Sequence, residues 1–350
     1  TPLNRPIAAY SFAAILATGF GMIAGRVSTL AGSLFALKLI QYFVIYFMVV
    51  NNLRERRQFE RFLLALLATA AIASLIGIFQ IPSGLRVSAP FEGSAGEPNT
   101  FGGYLVLMLA VVAGLFLTGE SLSRRYIYAS LAVLIFIPLL FTFSRASYLA
   151  LIPLAGVFLA FSQRRLFIAS LLACSLVLAP FLLPKAVVDR VLYTFTQPVH
   201  PGQAEIGGVR LDTSTSTRLR SWHEVLVADW PKHPVFGYGV TGYKFLDSQY
   251  FRVLVETGLV GLLAFLWLQL RLFQRARDVL RTTQDPVFKG VALGFLAGFV
   301  GLIVHSIGTN TFIIVRIMEP FWFLTAMVMM IPQLEASPAP GEAAREPSHA

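Results

Sequence analysis

Apolar residues run through this chain in long unbroken stretches, such as Phe62 to Ile81 and Leu166 to Leu183, broken by short polar joints. A helical membrane span needs roughly 20 apolar residues at 1.5 Å rise each, whereas a barrel strand alternates apolar and polar positions over about ten. The continuous runs therefore predict helices. Ten spans follow, over residues 8–24, 31–50, 62–81, 101–118, 126–143, 147–161, 166–183, 251–270, 289–305 and 312–332. The expected fold is an all-α polytopic membrane helix bundle with one large polar loop between spans seven and eight. Its parts are a bundle at 1–183, the loop at 184–250, a second bundle section at 251–332 and a tail at 333–350. The tail, SPAPGEAAREPSHA at its end, has the Pro/Ala/Glu-rich composition of disorder.

Composition supports the membrane reading. Hydrophobic residues make up 56% and charged residues 13%, with mean hydropathy +0.70, whereas soluble domains typically carry about 25% charged residues. The net charge of +10 sits at span ends rather than in a stripe, which points to membrane lipids and excludes nucleic acid as a partner. Basic residues fill every second joint: Arg54, Arg56, Arg57 and Arg61, then Arg124 and Arg125, then Arg164 and Arg165, then Arg271, Arg275, Arg277, Arg281 and Lys289. The short joints between hold only Arg26, Arg86 and Arg145. The positive-inside rule then puts both termini in the cytoplasm and the long loop outside; long loops cross largely regardless of their own charge.

A chain that keeps one large polar segment among so many spans is expected to work there. The loop offers Arg210, Arg218, Arg220 and Lys232 as anion contacts, Asp212, Glu224, Asp229 and Asp247 as carboxylates, and Gly237, Gly239 and Gly242 for close backbone approach to a ligand. That combination suits a phosphate-bearing substrate. Arg145, between spans five and six, is either an anchor among lipid headgroups or a bidentate grip on a diphosphate. The hydroxyl run Thr213 to Thr217, or Ser221-x-x-Glu224, provides a helix start, which sets Arg218 and Trp222 at i and i+4 on one face. Asp247 heads a stripe with Phe251, Leu254, Gly258 and Gly261 and reads either as an N-cap or as a general base. Gly258 and Gly261 are expected to allow close helix contact. Arg316 and Glu319, inside the last span, read as an ion pair or as a wall of the active cavity. Lys38, alone in span two, has no reading. The five histidines lack metal-ligand spacing, lone Cys174 forms no intrachain disulfide, and no phosphate-binding glycine motif is present. No metal and no cofactor are expected.

Several stretches together resemble the O-antigen ligase and O-antigen polymerase superfamily. They are Glu97-Pro98-Asn99 with Phe101 to Leu105, Ser144-Arg145-Ala146, Arg218-x-x-x-Trp222, His233 to Gly239 (HPVFGYG) and Asp247 to Gly261, including Tyr250. The resemblance runs from about Phe91 to Gly261. It implies a metal-independent, inverting glycosyltransferase at the outer face of the bacterial inner membrane, with the active site facing the periplasm. The implied donor is a glycan on undecaprenyl diphosphate, and the implied acceptor is a hydroxyl of lipid A-core or of a second glycan. On this reading Arg145, Arg218 and Asp247 are catalytic, and Arg210, Arg220, Asn99, Trp222, Tyr250 and Arg316 bind substrate. Ligases of this family carry His-Asn where this chain has Asp247-Ser248, which leaves room for a polymerase or another acceptor. Family members often have more spans, so a helical pair is expected before Thr1.

A transporter or flippase of a lipid-linked glycan or anionic solute is the competing class. Such a protein concentrates polar residues near the midplane. Here they concentrate at one end.

Overall fold

The structure, a computed structural model, describes residues 1–90 and 96–336. Its helices are α1 (Asn4–Ile23), α2 (Thr29–Asn52), α3 (Arg56–Gln80), α4 (Pro98–Thr118), α5 (Leu122–Phe141), α6 (Arg145–Phe161), α7 (Arg165–Leu182), α8 (Lys185–Thr196), α9 (Thr213–Glu224), α10 (Gln249–Thr282), α11 (Pro286–His305) and α12 (Val315–Ala336). Among the described residues, nine of these are long and apolar enough to cross a membrane. The predicted span at 147–161 corresponds to α6, which is shorter, so the protein is an all-α, multi-pass membrane protein. The last helix continues to Ala336; the remainder of the predicted tail lies outside the described residues, as does part of the outer loop that begins at Pro82.

Helix α4 forms the centre and packs along α11. The contact is close because a Cβ at Gly114 would strike the Gly290 carbonyl, and one at Gly294 would strike the Ala110 carbonyl; without side chains the two backbones come together, which is the main way helices gain packing energy when lipid is as apolar as Leu. Helices α3, α5 and α7 lie at the periphery and expose Phe79, Ile127, Leu176 and Phe181.

The polar segment is ordered rather than a plain loop. It contains α8, a two-stranded hairpin of β1 (Glu205–Ile206) and β2 (Val209–Arg210), and α9. Its last part, the HPVFGYG stretch, docks into a break in α10 at Gly258, whose φ of 65° and ψ of −169° belong essentially to glycine. The break leaves two N–H groups and two carbonyls without helical partners, and the loop takes all four. Leu259 N donates to Pro234 O (2.8 Å) and Val260 N to Val235 O (3.3 Å), while Tyr238 N donates to Val255 O (2.9 Å) and Gly239 N to Glu256 O (2.8 Å). A Cβ at Gly258 would strike Val235, and one at Gly237 would meet Val255 and Glu256. Two sequence expectations change here. Gly258 serves loop docking rather than helix contact, and Gly237 and Gly239 approach α10 and α1 rather than a ligand.

Candidate functional site

Arg145 opens α6. Ser144 caps the helix, accepting from Ser147 N, and the side chain of Arg145 turns to the polar segment. One Nη1 donates to Thr194 Oγ1 at 2.7 Å and pairs with Asp212 Oδ2 at 2.8 Å. Asp212 is 2% exposed and is itself the N-cap of α9, accepting from Thr215 N. The cap of α9 is therefore Asp212, not the hydroxyl run or the Ser221 box. Burial pushes the Asp212 carboxyl up, but hydrogen bonds from Thr215 and the Arg145 charge outweigh burial and hold it below its ordinary value. Asp212 thus stays ionised, and one carboxylate fixes both the α9 start and the Arg145 fork.

Arg218 lies one and a half turns into α9. Its Nη1 donates to Ser214 Oγ (3.0 Å) and its Nη2 pairs with Asp247 Oδ2 at 3.1 Å. Arg218 and Trp222 share a face and line the same cavity. The indole stacks on Phe251 (5.0 Å, 11°) and donates to the Asp247 carbonyl at 3.0 Å. Asp247 is held by its backbone on both sides, because Asn310 Nδ2 donates to the Leu246 carbonyl at 2.8 Å. The N-cap position of α10 falls to Ser248, and Gln249 N donates to the carbonyls of Ser306 and Thr309. Capping therefore does not account for Asp247, whose half-buried carboxylate engages Arg218.

Two further arginines complete the cluster, and the sequence reading assigned neither to the site. Arg86 Nε donates to Thr142 O (2.9 Å), and its Nη2 reaches Phe143 O and Asn99 Oδ1 (3.4 Å each). Arg190, on α8, also donates to Phe143 O at 3.4 Å. Phe143 adopts φ 49°, a left-handed conformation that is costly for a bulky residue, and its carbonyl is the acceptor those two guanidiniums share. Burial lowers the pKa of each; Arg86 is lowered next by Arg190, and Arg190 next by Arg145. That is the signature of positive charge gathered in one place.

Arg86, Arg145, Arg190 and Arg218 line a cavity of about 630 Å³. Its floor includes Ala146 in the first turn of α6, so that helix's partial positive charge adds to the four cations. One wall is apolar, formed by Leu149, Ile152, Val191 and Phe195. Of these, Leu149, Ile152, Val191 and Phe195 are all exposed at the surface, so the cavity joins an arginine cluster to an outer face of α6 and α8. Asn99 and Trp222 also line it. A second, smaller cavity of about 330 Å³ lies on the other side of Arg218 and Ser214, which line both. Its lining adds Asp247, Thr213, Thr217, Ser221 and Phe245.

Four expected substrate contacts fall outside both linings. Arg210 is exposed on β2; Arg220 faces away from Arg218 and donates to Gly202 O at 2.6 Å. Tyr250 points into the bundle, its hydroxyl donating to Ile303 O at 2.7 Å. Arg316 is exposed near the start of α12, and Glu319 accepts from Gln41 of α2 at 2.7 Å. In the polar segment, Glu224 pairs with Lys244 and Asp229 with Lys232.

The fold and site define a multi-pass membrane protein with an arginine-lined cavity at one end of its helices. A model of the O-antigen ligase family matches residues 129–266 and supports membership of an O-antigen ligase/polymerase family. The matched stretch carries Arg145, Arg190, Arg218 and Asp247, and leaves Arg86, Asn99 and Arg316 outside. No curated protein matches the chain.

Proposed function

We propose that this protein moves a glycan from undecaprenyl diphosphate to an acceptor hydroxyl, of lipid A-core or of a second glycan, at the periplasmic face of the bacterial inner membrane. The observation that carries the reading is the junction of four arginines, an apolar wall reaching the outside of the bundle, and one carboxylate shared with Arg218. A polyprenyl diphosphate has matching parts. Its chain lies along Leu149, Ile152 and Phe195, and its phosphates lie among the guanidiniums, whose planar forks suit paired phosphate oxygens.

In the resting protein Asp247 is engaged by Arg218. A diphosphate that takes Arg218 frees the carboxylate, which then faces the acceptor. The acceptor oxygen attacks the anomeric carbon as the bond from that carbon to the diphosphate oxygen breaks. Asp247 takes the hydroxyl proton, and the departing diphosphate carries its new charge among the arginines. A single displacement inverts the anomeric centre and assigns no step to a metal or cofactor. The supporting orientation is both termini inside, from the alternation of basic joints.

The test is transfer in proteoliposomes from an undecaprenyl diphosphate-linked glycan, with the purified whole chain. Release of undecaprenyl diphosphate coupled to a lengthened or core-linked glycan is the expected result. Movement of the intact donor across the bilayer without bond cleavage would instead make the protein a flippase.

A further inference from the structure

The smaller cavity sits where the second substrate of a transfer must approach. It shares Arg218 and Ser214 with the arginine cavity, and the Asp247 carboxylate lies in its lining. Its chemistry differs from that of its neighbour. Among the described residues that line it, the Arg218–Asp247 pair is the only charged one, so this lining is close to neutral. Thr213, Thr217 and Ser221 stand at i, i+4 and i+8 on α9, a ladder of hydroxyls along one face of the helix. Facing them is Phe245, a phenyl ring 78% exposed to solvent in a polar segment. Hydroxyls on one side and an aromatic face on the other suit a ligand with hydroxyls and an apolar ring face, and exclude one that needs a charge partner.

We infer that this cavity is the site of the acceptor, that the acceptor binds there through a neutral sugar ring, and that Phe245 and Ser221 set its affinity. The inference rests on the proposed transfer reaction and adds the class and place of the second substrate. The sugar ring lies over Phe245 with its hydroxyls against Thr217 and Ser221. Its reactive hydroxyl points past Ser214 toward Asp247. The donor diphosphate, on the far side of Arg218, is met there and nowhere else along the cavity.

The test uses the whole chain in lipid nanodiscs with undecaprenyl diphosphate in excess, and saturation-transfer NMR on two probes. One is the oligosaccharide repeat freed from the donor by mild acid; the other is the core oligosaccharide freed from lipid A. The expected result is that one probe binds and that Phe245→Ala and Ser221→Ala each weaken it about tenfold, a loss of about 1.4 kcal/mol. Phe245 is exposed and Ser221 is a half-buried hydroxyl with no place in the arginine cavity, so the unfolding midpoint and the affinity for undecaprenyl diphosphate should stay at the wild-type value. Binding of neither probe, or wild-type affinity retained in either variant, overturns the inference. Failure of the proposed function looks different: undecaprenyl diphosphate does not bind, or sugar binds without any transfer.

Discussion

The two ion pairs of the site differ in what holds them. Arg145–Asp212 is buried on the carboxylate side, closes at 2.8 Å, and ties the start of α6 to the cap of α9. Arg218–Asp247 closes at 3.1 Å with the carboxylate 37% exposed, and both partners line cavities. A buried carboxylate left without its cation is strongly destabilising, whereas exposed pairs contribute about 0–1 kcal/mol. The first pair is thus part of the frame and the second is free to exchange partners. A site that must grip one substrate and release a base for another needs one of each.

Breaking the frame has the largest expected effect. Arg145→Ala should abolish transfer and also lower stability by about 3–5 kcal/mol, because Asp212 stays buried and charged. Activity and the urea midpoint of the detergent-solubilised protein check both parts. Wild-type stability with lost activity would mean that Asp212 is not held by Arg145.

Breaking the exchangeable pair should separate activity from folding. Asp247→Asn should cost on the order of 10²-fold in rate, with donor affinity kept or raised because Arg218 is no longer engaged. Its stability should change by less than about 1 kcal/mol. The reading is checked by kcat and by donor titration of the variant in proteoliposomes. A near-wild-type rate would remove Asp247 from proton transfer.

The smallest effect comes from pH. The folded pKa of Asp212 lies below its ordinary 3.8. The stability this group contributes is therefore fully present above that value and is lost only as pH falls through the lower folded value. Thermal midpoints should accordingly show no titration from this pair between about pH 5 and 8. A midpoint that falls through this range in wild type but not in Asp212→Asn would contradict the assignment.

Much of the fold is legible in the sequence, because each span is a local property of one apolar run. The break in α10 is not. Its loss of helical hydrogen bonds is made good by Pro234 to Gly239, a pairing across about 20 residues that no periodicity reports. The site divides in the same way. Arg145, Arg218, Asn99 and Trp222, which short motifs mark, come together in the lining of one cavity. Arg220 lies two residues from Arg218 on α9, and a helix turns such a pair to nearly opposite faces, while Arg210 lies on β2, outside that helix. Arg190 was missed because residues 184–250 read as one loop. The apolar spacing Val187, Val188 and Val191 within α8 was the available signal. Arg86 was visible as the only cation of its outer joint, but its convergence with Arg190 on the Phe143 carbonyl depends on a left-handed turn that sequence does not announce.

The central claim is that the cavity arginines, and not arginine content in general, hold the diphosphate. The most direct measurement is equilibrium binding of undecaprenyl diphosphate to the purified protein in nanodiscs, for Arg190→Gln and Arg220→Gln side by side. Both remove one positive charge from the same polar segment, but only Arg190 lines the cavity. Arg190→Gln should weaken binding about tenfold and Arg220→Gln by less than about twofold. Equal losses in the two variants, or none in Arg190→Gln, would contradict the cavity as the donor site.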